Sequence, residues 1–153
     1  YSVSGGLLLG DEIVEVTGNA WLDREWSIQP LASDQTGWDW FSLAFDDGAK
    51  LMGFLLRSED GPGFGSASWI DPEGTVTAYG DGALTAIPQV NSQVAGREVP
   101  TTWRVVLPER GLDVTVSALN PQAWMATSVP YWEGPVVVSG SHDGRGYLEM
   151  TGY

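Results

Sequence analysis

Clusters of turn-forming residues cut this chain into short pieces, and that punctuation limits the fold more than any other feature. They fall at Asp46-Asp47-Gly48, Asp60-Gly61-Pro62-Gly63, Asp71-Pro72-Glu73-Gly74, Asp81-Gly82, Pro108-Glu109-Arg110-Gly111 and His142-Asp143-Gly144. Each offers Gly for a positive φ, or Asp and Pro to start a turn. The runs between them are rich in Val, Leu, Phe, Trp and Thr, the residues of strands. The spacing predicts strands near 3–9, 12–18, 20–27, 38–46, 50–57, 66–70, 75–79, 82–87, 101–107, 112–118, 133–140 and 146–151. Phe41, Leu43 and Phe45 fall on one face of their run, with Trp38, Trp40 and Ser42 on the other. Leu112, Val114 and Val116 likewise oppose Asp113, Thr115 and Ser117. Period two over so many segments means an all-β protein. Short strands and tight hairpins suit a β-sandwich or an up-and-down barrel. Closure removes exposed edges, which favours an antiparallel up-and-down β-barrel of about eight to ten strands, a size that holds one small ligand. Residues 119–130 have room for a helical turn, and 88–100, bounded by Pro88 and Pro100, reads as a loop.

A chain of 153 residues suits a single domain over 1–153 with a real core. No stretch has the apolar length that a bilayer requires. The formal charge of −13 disfavours nucleic acid and anionic membrane surfaces as partners. There is no cysteine, which removes disulfides and thiol chemistry and leaves bacterial cytoplasm and periplasm both open. The first residue is Tyr1, so the chain is expected to be processed, trimmed or cut from something longer.

Eight tryptophans are many for this length. They can fill a core, or line a cage for an apolar or cationic ligand. Asp23, Arg24 and Glu25 stand between Trp21 and Trp26, and Asp39 between Trp38 and Trp40. A carboxyl among tryptophans is either held in an ion pair, for example Glu25 or Glu133 with Arg57, or is raised in pKa and ready to give up a proton. Glu149 alternates with Tyr147 and Thr151 and carries the same two readings. His142, the single histidine, lies in a turn and is expected to be solvated. One His and no Cys give no zinc set. Ser139, Ser141, His142 and Asp143 are neighbours in sequence, whereas a triad is defined by geometry in space. The sequence calls for no metal and no cofactor.

Four segments in order resemble one family. They are Gly18-Asn19-Ala20-Trp21-Leu22-Asp23-Arg24-Glu25-Trp26, Gly37-Trp38-Asp39-Trp40-Phe41-Ser42-Leu43, Tyr131-Trp132-Glu133-Gly134, and Gly144-Arg145-Gly146-Tyr147-Leu148-Glu149-Met150-Thr151-Gly152-Tyr153. The likeness is to the AttH-like family, which includes carotenoid hydratase (hydroxyneurosporene synthase) and lipocalin-like Diels–Alderases. It implies a lipocalin-like barrel corresponding to the C-terminal half of a two-domain protein. It also implies two partners: a hydrophobic small molecule, and a second lipocalin-like domain or chain. The implied activity is hydration or cyclisation of an isoprenoid- or polyketide-like molecule. Asp23, Glu25 or Asp39 would supply the acid. Trp21, Trp26, Trp38, Trp40, Arg57, Tyr131, Trp132, Glu133, Tyr147 and Glu149 would contact the ligand. Relatives often carry His where this chain has Arg24, and Arg is a poor general acid. A non-catalytic ligand-binding module, or a structural half supporting a partner, would use the same residues.

Overall fold

The computed structural model describes residues 1–24, 31–61 and 63–153, which fall into two units, Tyr1–Pro30 and Leu31–Tyr153. In the first, β1 (Ser2–Leu9) and β2 (Glu12–Asn19) form an antiparallel hairpin. Its apolar residues are largely exposed, Leu8 at 70% and Ile13 at 68%. Residues 20–24 belong to no strand, and the rest of the strand expected over 20–27 lies outside the described residues.

The second unit is one curled antiparallel sheet. Its strands are β3 (Gln35–Phe45), β4 (Lys50–Ser58), β5 (Phe64–Ile70), β6 (Val76–Tyr79), β7 (Thr85–Val94), β8 (Arg97–Leu107), β9 (Leu112–Ala118), β10 (Trp124–Met125), β11 (Tyr131–Gly140) and β12 (Gly144–Met150). The order is β6-β5-β4-β3-β12-β11-β9-β8-β7, with the short β10 attached to β11. Apart from β11 beside β9 and β12 beside β3, neighbours along this path are consecutive strands, as in an up-and-down barrel. The exception that closes the wall is β12 beside β3, which joins the last strand to the first of this unit. Gly144 and Gly146 allow that join, since a Cβ on either would strike the backbone of β3.

The wall curls into a half-barrel with two edges, β6 and β7, unpaired with each other among the described residues. Parity explains this. Nine strands linked by antiparallel steps leave the first and last pointing the same way, so no antiparallel ladder can join them. A side chain reaches between the two ends of the path instead. Arg110, in the 3-10 turn after β8, donates to the hydroxyls of Tyr79 and Thr77 on β6.

The inner face follows the alternation read from sequence. Phe41, Leu43 and Phe45 on β3, and Leu112, Val114 and Val116 on β9, are all buried. Phe41 and Trp103 meet edge to face at 5.6 Å, and Trp69 stacks on Phe45 at 5.4 Å. Such pairs add packing energy beyond their buried area.

The loop expected over 88–100 is instead a hairpin of β7 and β8. Both prolines fit because neither has to donate to a ladder. Pro88 lies on an edge strand beside register shifts, and Pro100 precedes Thr102, where the pairing of β8 with β9 begins. The helical turn allowed for 119–130 is replaced by a loop that carries β10. His142 is not solvated as expected: its ring packs at 5.2 Å from Phe45 and 5.8 Å from Trp69.

The β7–β8 turn is Ala95-Gly96, with φ of 50° and 79°. Two positive φ values mark a type I′ hairpin, for which Asn-Gly is preferred and Ala is strained. Ala95→Asn is therefore expected to stabilise the chain by about 0.5–1 kcal/mol, a rise of roughly 1–4 °C in Tm. Thermal unfolding followed by circular dichroism would check this, and an unchanged or lower Tm would contradict the turn assignment.

Candidate functional site

Asp39 is the polar residue most completely withdrawn from water, at 1% exposed. It shares the inner face of β3 with Phe41 and Leu43, because the strand period is two. Arg57 on β4 donates from Nη1 to Asp39 Oδ1 at 3.1 Å, and the hydroxyl of Tyr153 donates to the same oxygen at 2.9 Å. The guanidinium lies 3.9 Å from the centre of the Tyr153 ring, a cation–π contact. Its Nη2 bonds the carbonyl of Thr151.

Two glycines make space for this cation. A Cβ on Gly37 would collide with Arg57 Nη2 and with the Thr151 carbonyl, and one on Gly152 would collide with the Thr36 carbonyl. Gly152 also has φ of 78°, which favours glycine. The closing Thr151-Gly152-Tyr153 therefore wraps a guanidinium that reaches in from β4.

Two influences on Asp39 oppose each other. Burial favours its neutral form, while Arg57 and the Tyr153 hydroxyl favour the carboxylate. Burial prevails and pushes the carboxyl up to about 6. The Tyr153 hydroxyl is also raised, by burial first and then by the charge of Asp39. It stays a donor throughout the physiological range.

The other predicted residues divide between the two faces of the sheet. Trp132 faces inward, fully buried, and its indole Nε1 donates to the Pro121 carbonyl at 2.8 Å. Trp38, Trp40, Tyr131, Glu133, Tyr147 and Glu149 lie on the opposite face. There Trp40 pairs with Glu149, and Glu149 with Glu133, across adjacent strands. Trp38 Nε1 donates to Glu149 Oε1 at 2.9 Å. Tyr131 is raised in pKa chiefly by its hydrogen bond with Glu133, and Tyr147 by burial and then by the charges of Glu133 and Glu149. Trp21 and Asp23 are exposed residues of the N-terminal unit. Glu25 and Trp26 lie outside the described residues.

The sheet thus brings together Asp39 and Arg57, and separately an aromatic and acidic strip on its outer face. The predicted residues that belong to this unit are divided between its two faces. The ion pair suggested for Arg57 is made with Asp39; Glu133 sits on the other side of the wall. Tyr153 was not singled out as a site residue, and its only signal in the sequence is its place in the closing motif. Among the described residues no cluster of His, Cys, Asp and Glu could hold a metal, and no helix is long and apolar enough to cross a membrane.

A curled antiparallel sheet with its first and last strands joined and a buried polar group on its inner face defines a lipocalin-like module. The chain belongs to the AttH-like family, whose pattern matches residues 1–153. A Nitrosomonas europaea protein carrying the provisional name AttH is similar in structure, with a TM-score of 0.88 and 33% sequence identity. The match covers 99% of this chain and 49% of that one, so this chain spans about half the length of that protein. No curated protein matches.

The raised carboxyl makes a prediction about stability. Asp39 titrates near 3.8 when unfolded and near 6 when folded. The folded state then holds the proton more tightly, so stability is greatest below pH 4 and falls as pH rises through 6. The drop is at most on the order of 3 kcal/mol. Subtracting the denaturation free energy of Asp39→Asn from that of the wild type at each pH isolates the effect. The difference should decline from pH 4 to 7 and then level off; a flat difference would show that Asp39 is ionised without penalty.

Proposed function

We propose that this chain is one lipocalin-like half of a protein that binds an apolar isoprenoid- or polyketide-like molecule on the inner side of its sheet and transfers a proton to it. The supporting observation is Asp39, an acid poised near neutrality by its own burial, beside a tyrosine hydroxyl and a guanidinium. A group with pKa near the working pH can both give and take a proton.

In a hydration, the protonated Asp39 would donate to one carbon of an alkene, whose π electrons form the new C–H bond. Water then adds to the cation, and the Asp39 carboxylate takes up the proton that water loses. Arg57 and Tyr153 both bind Oδ1, which leaves Oδ2 to carry the proton. In a cyclisation, the wall would fold a flexible chain into a reactive pose, and Tyr153 or Arg57 would polarise a carbonyl.

A second reading, binding or structural support without turnover, draws on a different observation. Phe41, Trp103 and Trp132 are almost wholly buried in the interior, and Arg57 is bonded on several sides, as expected of a fixed structural pair.

The experiment is to mix the chain with a linear isoprenoid polyene and follow both tryptophan emission and product mass. Saturable quenching with a mass gain of one water is the expected result, and Asp39→Asn should quench equally while forming no product. Quenching without product supports the carrier reading. No quenching at all would remove both.

A further inference from the structure

Inside the half-barrel, one buried side-chain polar atom has no hydrogen-bond partner among the described residues. It is the indole Nε1 of Trp103 on β8, a residue 2% exposed. Buried indole N–H groups ordinarily find an acceptor. Two other tryptophans in this chain do: Trp132 through the Pro121 carbonyl and Trp38 through Glu149. The buried polar side chain next to it on this face of β8 is already engaged, since the Thr101 hydroxyl bonds that of Ser92 at 2.7 Å.

The position of the orphan donor is informative. Trp103 lies between Pro88 on β7 and Val116 on β9, and its ring meets Phe41 across the interior at 5.6 Å. Phe41 is two residues from Asp39 on the same face of β3, roughly 6–7 Å along the strand. A donor without a partner among the described residues and a buried acid therefore face the interior at neighbouring levels.

We propose that Trp103 Nε1 binds the oxygen of the small molecule, holding it in register with Asp39. This rests on the ligand-binding reading above and narrows the ligand class. A neutral N–H on a residue paired with Pro88 and Val116 and in ring contact with Phe41 suits an uncharged acceptor such as a ketone or alcohol. A carboxylate placed there would lose its hydration for a single neutral donor. The ligand is thus an apolar molecule with one uncharged oxygen, its reacting part lying toward Asp39.

The test is a ¹H–¹⁵N spectrum of the indole groups, recorded as β-ionone or the matching hydrocarbon without the carbonyl is added. Trp103→Phe identifies the resonance; should it fail to fold, contacts with Phe41 in the wild type identify it instead. With β-ionone the Trp103 proton is expected to move downfield and exchange more slowly, and with the hydrocarbon it should do neither. Trp103→Phe should weaken β-ionone binding about tenfold more than it weakens hydrocarbon binding, the loss of one hydrogen bond. Hydrocarbon and ketone binding alike, with no selective response at Trp103, overturns the inference and leaves the ligand-binding reading standing. A Trp103 proton already downfield and protected in the free chain, and unmoved by ketone, also overturns it by assigning the donor to an internal water. Binding of neither probe removes the ligand-binding reading and this inference with it.

Discussion

The ladder between β12 and β3 carries the rest of the second unit. On one side of it lies the meander β3 to β6, and on the other the run from β7 to β11. No other ladder joins the two groups among the described residues. The ladder forms at the greatest separation in sequence, where closing the chain costs most entropy. Its backbone spacing depends on two glycines that no other residue can replace without pushing β12 away. The Gly-Arg-Gly of the closing motif is thus a requirement of assembly before it is anything chemical.

The Asp39, Arg57 and Tyr153 group sits at one end of that ladder and fastens it to β4. It joins three separate strands or strand ends through a single carboxylate oxygen, a carbonyl and a ring face. Ionised carboxylates in apolar surroundings are costly, and the guanidinium only partly offsets that cost here, since the carboxyl is still raised. The same arrangement can therefore serve two ends. It anchors the last residues of the chain, and it keeps an acid whose two protonation states lie close in energy.

The fold was legible because its period was legible. Alternation in β3 and β9 told which side chains would share a face, and turn residues told where the chain reversed. The prolines misled because Pro88 and Pro100 read as loop boundaries by themselves, while their harmlessness depends on which neighbours a strand has. Asp39 was visible as an acid among tryptophans, and alternation already set Trp38 and Trp40 on the face opposite it, yet sequence could not say which of the two faces is the inner one. That follows from the sheet, where Asp39 is buried beside Phe41 and Leu43. Tyr153 and Trp103 escaped notice because their importance lies in contacts with residues far away in the chain: one bonds a distant acid, and the other meets a distant ring and no acceptor.

The odd number of strands in the wall has a consequence for how it could grow. Its two edges, unpaired with each other among the described residues, run in the same direction, so a single strand lying between them would be antiparallel to both. A pair of strands would satisfy only one edge in antiparallel fashion. The seam therefore reads direction and count in any extended backbone that meets it, with no side chain involved. It is also where the wall can widen without breaking a ladder bond, leaving the Arg110 contacts with Tyr79 and Thr77 as the strut to be released.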